Sequence, residues 1–143
     1  MRVTTSPAFA DQVLALMKSR RVCRSFTDEL VSDEHLRTLT EAARWATSGG
    51  NRHLHKFLIV RNPETIRRVR SVSPGMTALP PAMIVILTDL EVAARESLQM
   101  AHDQANWMDV GTAAMNMMNM AHARRCRSRR MAITREPASN GTR

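Results

Sequence analysis

Two clusters in this chain have the residue types and spacing to do chemistry. The first is the run Lys18-Ser19-Arg20-Arg21-Val22-Cys23-Arg24-Ser25-Phe26. Arg20, Arg21 and Arg24 bring three guanidinium groups into one turn-sized stretch. A guanidinium donates paired hydrogen bonds in a fixed fork, which suits a phosphate. A solvated helix end would carry the same residues, because the helix dipole favours cations there. The second cluster is Ser48-Gly49-Gly50-Asn51-Arg52-His53. Two glycines without a Cβ let the backbone come close to something flat or charged. Taken alone, the same letters form a common turn. His53 and His55 could be read as a metal pair, but no third ligand stands at a recognisable spacing. His102 and Asp109 have no partners arranged for acid–base or triad chemistry. No phosphate loop of the Gly-Lys-Thr/Ser type and no Gly-x-Ser-x-Gly elbow occurs.

The elements that must position these clusters are legible in part. A helix is expected over residues 7–19, delivering the arginine run at its end. A second follows Ser32, a suitable N-cap, with Asp33 and Glu34 in the first turn where the dipole favours anions. Leu36, Leu39 and Ala43 recur at helical spacing, and Gly49-Gly50 ends the pattern. Residues 57–61 read as a buried strand, and Asn62-Pro63-Glu64 as a helix start. Residues 82–88 form a near-continuous apolar run, which implies a strand buried on both faces. A weakly patterned helix is expected over 91–104. Residues 107–123 read as a helix apolar on most sides, its polar groups confined to the stripe Asp109, Thr112, Asn116 and Asn119.

Composition fits one globular domain of 143 residues with 43% hydrophobic content. Aromatic content is only 3%, and eleven Met supply adaptable packing in its place. The net charge of +8 is unevenly spread, since seven of the 21 cations but one of the 13 acids fall in residues 124–143. The charge therefore describes a tail rather than a binding face. Two cysteines form no disulfide framework or zinc spacing, and no apolar segment suggests a leader or a span, so a cytoplasmic protein is expected.

Together the two clusters resemble the flavin-dependent nitroreductase family. That family sets an Arg-Arg-x-x-Arg-x-Phe run on the phosphate of FMN and a Pro/Ser-Gly-Gly-Asn-x-Gln-Pro-Trp loop against the flavin ring. The resemblance covers about residues 13–123. It implies an α+β, nitroreductase-like fold with a small sheet between helices and the C-terminal part missing. It implies FMN as cofactor, NAD(P)H as hydride donor, a nitro compound or quinone as electron acceptor, and a homodimer. Arg20 and Arg24 match the phosphate-binding positions most directly, with Arg21 beside them. Ser48, Gly49, Gly50, Asn51 and His53 match the ring-facing loop. No residue is expected to act as a catalytic nucleophile. The chain departs from the pattern at Val22, where Ser is frequent, at Thr47, and at His53-Leu54-His55, which replaces Gln-Pro-Trp. Asp109 to Asn116 resembles the family's Asp-x-Gly-x-Ala-x-Gln-Asn segment with Met115 for Gln, on a helix that lies at the family's dimer interface.

After Ala123 the resemblance stops. Residues 1–123 are expected to be a partial FMN-binding domain and 124–143 a basic, disordered tail. One codon choice for Arg124-Arg125-Cys126-Arg127, shifted by one nucleotide, reads Ala-Gly-Val-Gly, close to the family's next turn. The hypothesis is an out-of-frame tail, and sequencing the source locus tests it. Two other readings stand beside the enzyme: a catalytically inactive truncated fragment, and a basic nucleic-acid-binding module built on residues 124–130. The second lacks aromatic side chains for base stacking.

Overall fold

The computed structural model describes residues 6–23, 25–98 and 104–127. Helix α1, Pro7–Ser19, opens with Ser6 Oγ accepting from the Phe9 amide and with proline in the first turn. Helix α2, Asp33–Arg44, opens in the same way on Ser32, whose hydroxyl accepts from the His35 amide. It ends at Arg44, a few residues short of the glycines, which form a short 3₁₀ turn at Gly49–Asn51. Strand β1 is His55–Val60 and helix α3 is Pro63–Ser71, capped by Asn62. Strand β2 is Met83–Thr88 and helix α4 is Leu90–Arg95. α4 is shorter than the helix expected over 91–104; the chain leaves it at Ser97, which has φ 54°. Helix α5 spans Gln104–Arg127.

β1 and β2 pair antiparallel, from His55 opposite Thr88 to Val60 opposite Met83. They make a two-stranded sheet. The strand over 82–88 was expected to be buried on both faces and the one over 57–61 to be buried, and neither expectation holds in the single chain. No residue of either strand is fully buried, and Leu58 is 50% exposed. A continuous apolar run becomes doubly buried only when layers cover both faces. Here His55 and Phe57 turn inward while Lys56 and Leu58 face out, the alternation of a sheet covered on one side.

α2 and α5 run antiparallel, with Leu36, Ala43 and Ala113 buried. A ladder of polar groups joins them. Arg124 reaches Glu34 at 3.1 Å and Thr38 Oγ1 at 2.7 Å. Asn116 Nδ2 donates to Ala42 O at 3.1 Å, and Thr112 Oγ1 to Thr47 O at 3.3 Å. The polar stripe read from the sequence is thus the face of α5 that grips α2. The opposite stripe, Trp107, Met108, Gly111, Met115 and Met118, is exposed in the single chain, so α5 is covered on one side rather than most. α5 also continues to Arg127. Residues 124–127, within the stretch expected to be a disordered or at best weakly helical tail, are the last turn of α5, and residues 128–143 lie outside the described residues.

Candidate functional site

The Gly49–Asn51 turn is built from two different uses of glycine. A Cβ on Gly49 would lie 3.3 Å from Ala105 Cβ and 3.8 Å from Asp109 Oδ2, so the backbone there sits hard against α5. Gly50 has φ 62°, in the left-handed region open to glycine at no steric cost. Asn51 at φ 55° and His53 at φ 51° are left-handed as well. Asn tolerates this conformation, but such residues persist only when their surroundings hold them. The surroundings do so. Asn51 N–H donates to Ser48 O at 2.9 Å and His53 N–H to Ser48 Oγ at 3.4 Å. Gly49 N–H donates to both Asp109 carboxylate oxygens, at 3.1 and 2.9 Å. Gly50, Asn51 and His53 are left exposed.

Beside the turn lies a cavity of about 370 Å³, within the range of small-molecule sites. Ser48, His53, His55, Phe57, Asp109 and Trp45 contribute to its wall. Both ring nitrogens of His55 are buried without a hydrogen-bond partner among the described residues. His55 stands where the resemblance expects Trp, and it brings two ring nitrogens into the wall. From the sequence, His55 was one half of a candidate metal pair and a departure from the family's Gln-Pro-Trp. No group of three or more metal-ligating side chains occurs among the described residues. Asp109 was legible as part of a polar stripe, but its partner Gly49 was not, because only the antiparallel packing of α2 on α5 brings them together.

Arg20 and Arg21 do not line the cavity beside the turn. Ser19 Oγ meets His122 Nε2 at 2.9 Å, which fixes the end of α1 near the C-terminal end of α5. Asp109 holds the turn thirteen residues earlier on the same helix, which at 1.5 Å per residue is about 20 Å along its axis. Arg20 follows α1 directly. Arg21 Nη1 folds back onto Lys18 O at 2.8 Å and Arg20 O at 3.0 Å, the behaviour of a cation at a helix end. Arg24 lies outside the described residues.

Under the turn, Leu54 is buried, and its carbonyl accepts from Asp89 N–H at 2.8 Å. Asp89 also caps α4 and pairs with Lys56 at 2.6 Å. The hydrogen bond and charge of Lys56, with the Val92 and Glu91 amides, hold the Asp89 carboxyl below the ordinary aspartate range. The same pair raises Lys56 above the ordinary lysine value.

A two-stranded antiparallel sheet with helices, and a strained Gly-Gly-Asn turn pinned beneath a long helix, define a class already represented among known proteins. Residues 17–76 match the model of the nitroreductase family. A protein of Archaeoglobus fulgidus provisionally named NADH dehydrogenase/NAD(P)H nitroreductase is 29% identical over 77 residues, 54% of this chain and 44% of its own. A solved structure from Desulfovibrio desulfuricans, provisionally named a nitroreductase and in complex with FMN, is 30% identical with a TM-score of 0.62. It covers 84% of this chain and 64% of its own. The NADPH:FMN oxidoreductase of Vibrio harveyi, complexed with NAD+, shares the fold at a TM-score of 0.68 and 18% identity, over 78% of this chain and 52% of its own. The chain thus spans less than two thirds of each of these relatives. Its fold is the nitroreductase fold, and residues 17–76 carry the match to the nitroreductase family.

Proposed function

We propose that this chain holds FMN in an NAD(P)H-dependent oxidoreductase of the nitroreductase type and works as a cytoplasmic homodimer. The observation that carries this reading is the left-handed Gly50–Asn51 turn held beside a cavity of about 370 Å³. The residues fit the group. Among the described residues no partner satisfies the Gly50 N–H or the Asn51 carboxamide, and both suit the heteroatoms of a flat ring. When bound, FMN would supply the hydride-accepting ring, taking two electrons from the nicotinamide and passing them to a nitro compound or quinone. Ser48, Gly50, Asn51 and His53 would position that ring and polarise it; no side chain acts as a nucleophile. Gly49 serves the ring indirectly, since its N–H already bonds to Asp109.

Arg20, Arg21 and Arg24 are the proposed phosphate ligands. Within one chain the end of α1, which carries Arg20 and Arg21, is fastened near His122, about 20 Å along α5 from the Asp109 that holds the turn. A site completed by a second copy reconciles the two clusters, and the exposed Trp107–Met108–Met115–Met118 stripe offers the surface for it. No described helix is long and apolar enough to cross a membrane. The test is the visible spectrum of the purified protein, followed by FMN titration of Asn51→Ala and Arg20→Ala. Flavin bands in the wild type and weaker binding in both variants support the reading. A colourless protein that FMN does not titrate would sink it. An inactive fragment is the second reading. It is favoured by an apolar groove of about 750 Å³ left open beside Leu36, Ile84, Ile86 and Met117, and the same spectrum separates the two.

A further inference from the structure

We infer that Asp109 is a positioning residue. It holds the Gly49–Asn51 turn from behind through the Gly49 amide, so that Gly50 and Asn51 stay aimed outward in their left-handed conformations. The inference deepens the flavin reading, since the turn is there the ring-facing element. Three observations support it. Both Asp109 oxygens lie within hydrogen-bond distance of one N–H, at 3.1 and 2.9 Å, and a carboxylate is a stronger acceptor than a carbonyl. The approach needs a residue without a Cβ, because a Cβ on Gly49 would meet Ala105 Cβ at 3.3 Å. The flanking chain is held by the same helix, through Thr112 to Thr47 O and Asn116 to Ala42 O, so Asp109 is the last link of one ladder. Three left-handed residues within four positions do not hold themselves in place. The Ser48 bonds close the turn on itself, and Asp109 ties it to α5.

The experiment compares wild type, Asp109→Ala and Asp109→Asn as full chains, with and without FMN. In the flavin-free protein, amide exchange at Gly49 should speed up in Asp109→Ala by roughly tenfold to a hundredfold, the scale of one charge-assisted hydrogen bond. Exchange at Leu58 and Ile86 should stay as it is. Asparagine still offers an acceptor, so Asp109→Asn should recover most of the protection. This conservative variant also serves if the alanine variant does not fold, because its Gly49 amide should then exchange measurably faster than wild type while its strands do not. FMN affinity should fall in the same order, alanine below asparagine below wild type. Unchanged Gly49 exchange in the variants would overturn the inference, as would FMN affinity unchanged in a folded Asp109→Ala. If wild type takes up no FMN, the functional reading fails, and the exchange data alone decide whether Asp109 positions the turn.

Discussion

His55 and Gly50 are the residues at which local chemistry and the fold disagree most openly. Leaving a buried donor or acceptor unpaired is destabilising by about 1–3 kcal/mol, and both imidazole nitrogens of His55 are in that state. Replacing the ring by one of similar shape without polar atoms should therefore help. His55→Phe is expected to be more stable than wild type by about 1–3 kcal/mol on this scale, as measured by urea unfolding; a less stable variant would mean that the imidazole has a partner in solution. Gly50→Ala should do the opposite. Holding an L-residue in the left-handed region costs about 1–2 kcal/mol, and its φ of 62° gives it no alternative. The same urea curves check this, and no loss would imply that the turn relaxes freely. The two glycines could be read from the sequence as a close approach. Which of them approaches a partner and which one turns the chain could not, because that depends on α5, sixty residues later.

At the level of elements, the helix starts were the most readable features. Ser32 and Asn62 cap where a short polar side chain before an acidic first turn says they should. Strand burial was the least readable, since an apolar run looks the same whether one or two layers cover it. Asp89 was overlooked as a cap because α4 has only six residues and little periodicity. Yet Asp89 ties together β1, α4 and the segment under the turn. Its carboxyl titrates below the ordinary value, so the folded state binds that proton less readily than the unfolded chain. Its contribution is present above the unfolded aspartate pKa and disappears as pH falls through the lower folded value. Lys56 runs the other way: its pKa is raised, so its contribution holds below the ordinary lysine value and fades as pH climbs through the folded one. Asp89→Asn should still cap α4 but lose the ion pair. At neutral pH its melting temperature should lie below that of wild type, and as pH is lowered through the folded Asp89 value the wild type should fall toward it until the gap closes. A gap that stays constant from neutral pH to below pH 3 would show that the Asp89 charge contributes nothing.

Across the whole molecule, α5 has a gripping face and a bare one. The sequence read this helix as apolar on most sides, and the family resemblance places it at a dimer interface. In the single chain a Cβ on Gly111 meets nothing within 4 Å. Gly111→Leu should therefore leave the fold of a dissociated chain intact and weaken self-association, which sedimentation equilibrium would resolve. Equal association by wild type and variant would place any contact between copies elsewhere. The gripping face has a different consequence. Its bonds to α2 and the turn link residues 60, 65, 74, 86 and 90 positions apart. Chain closure over such distances must precede any reward from the contacts, which slows folding. During synthesis, α2 and the glycine turn leave the ribosome well before the helix that fastens them exists. The nascent chain must then carry Leu36, Leu39 and the β1 strand uncovered until α5 emerges, and that interval is when a chaperone would find the most to hold.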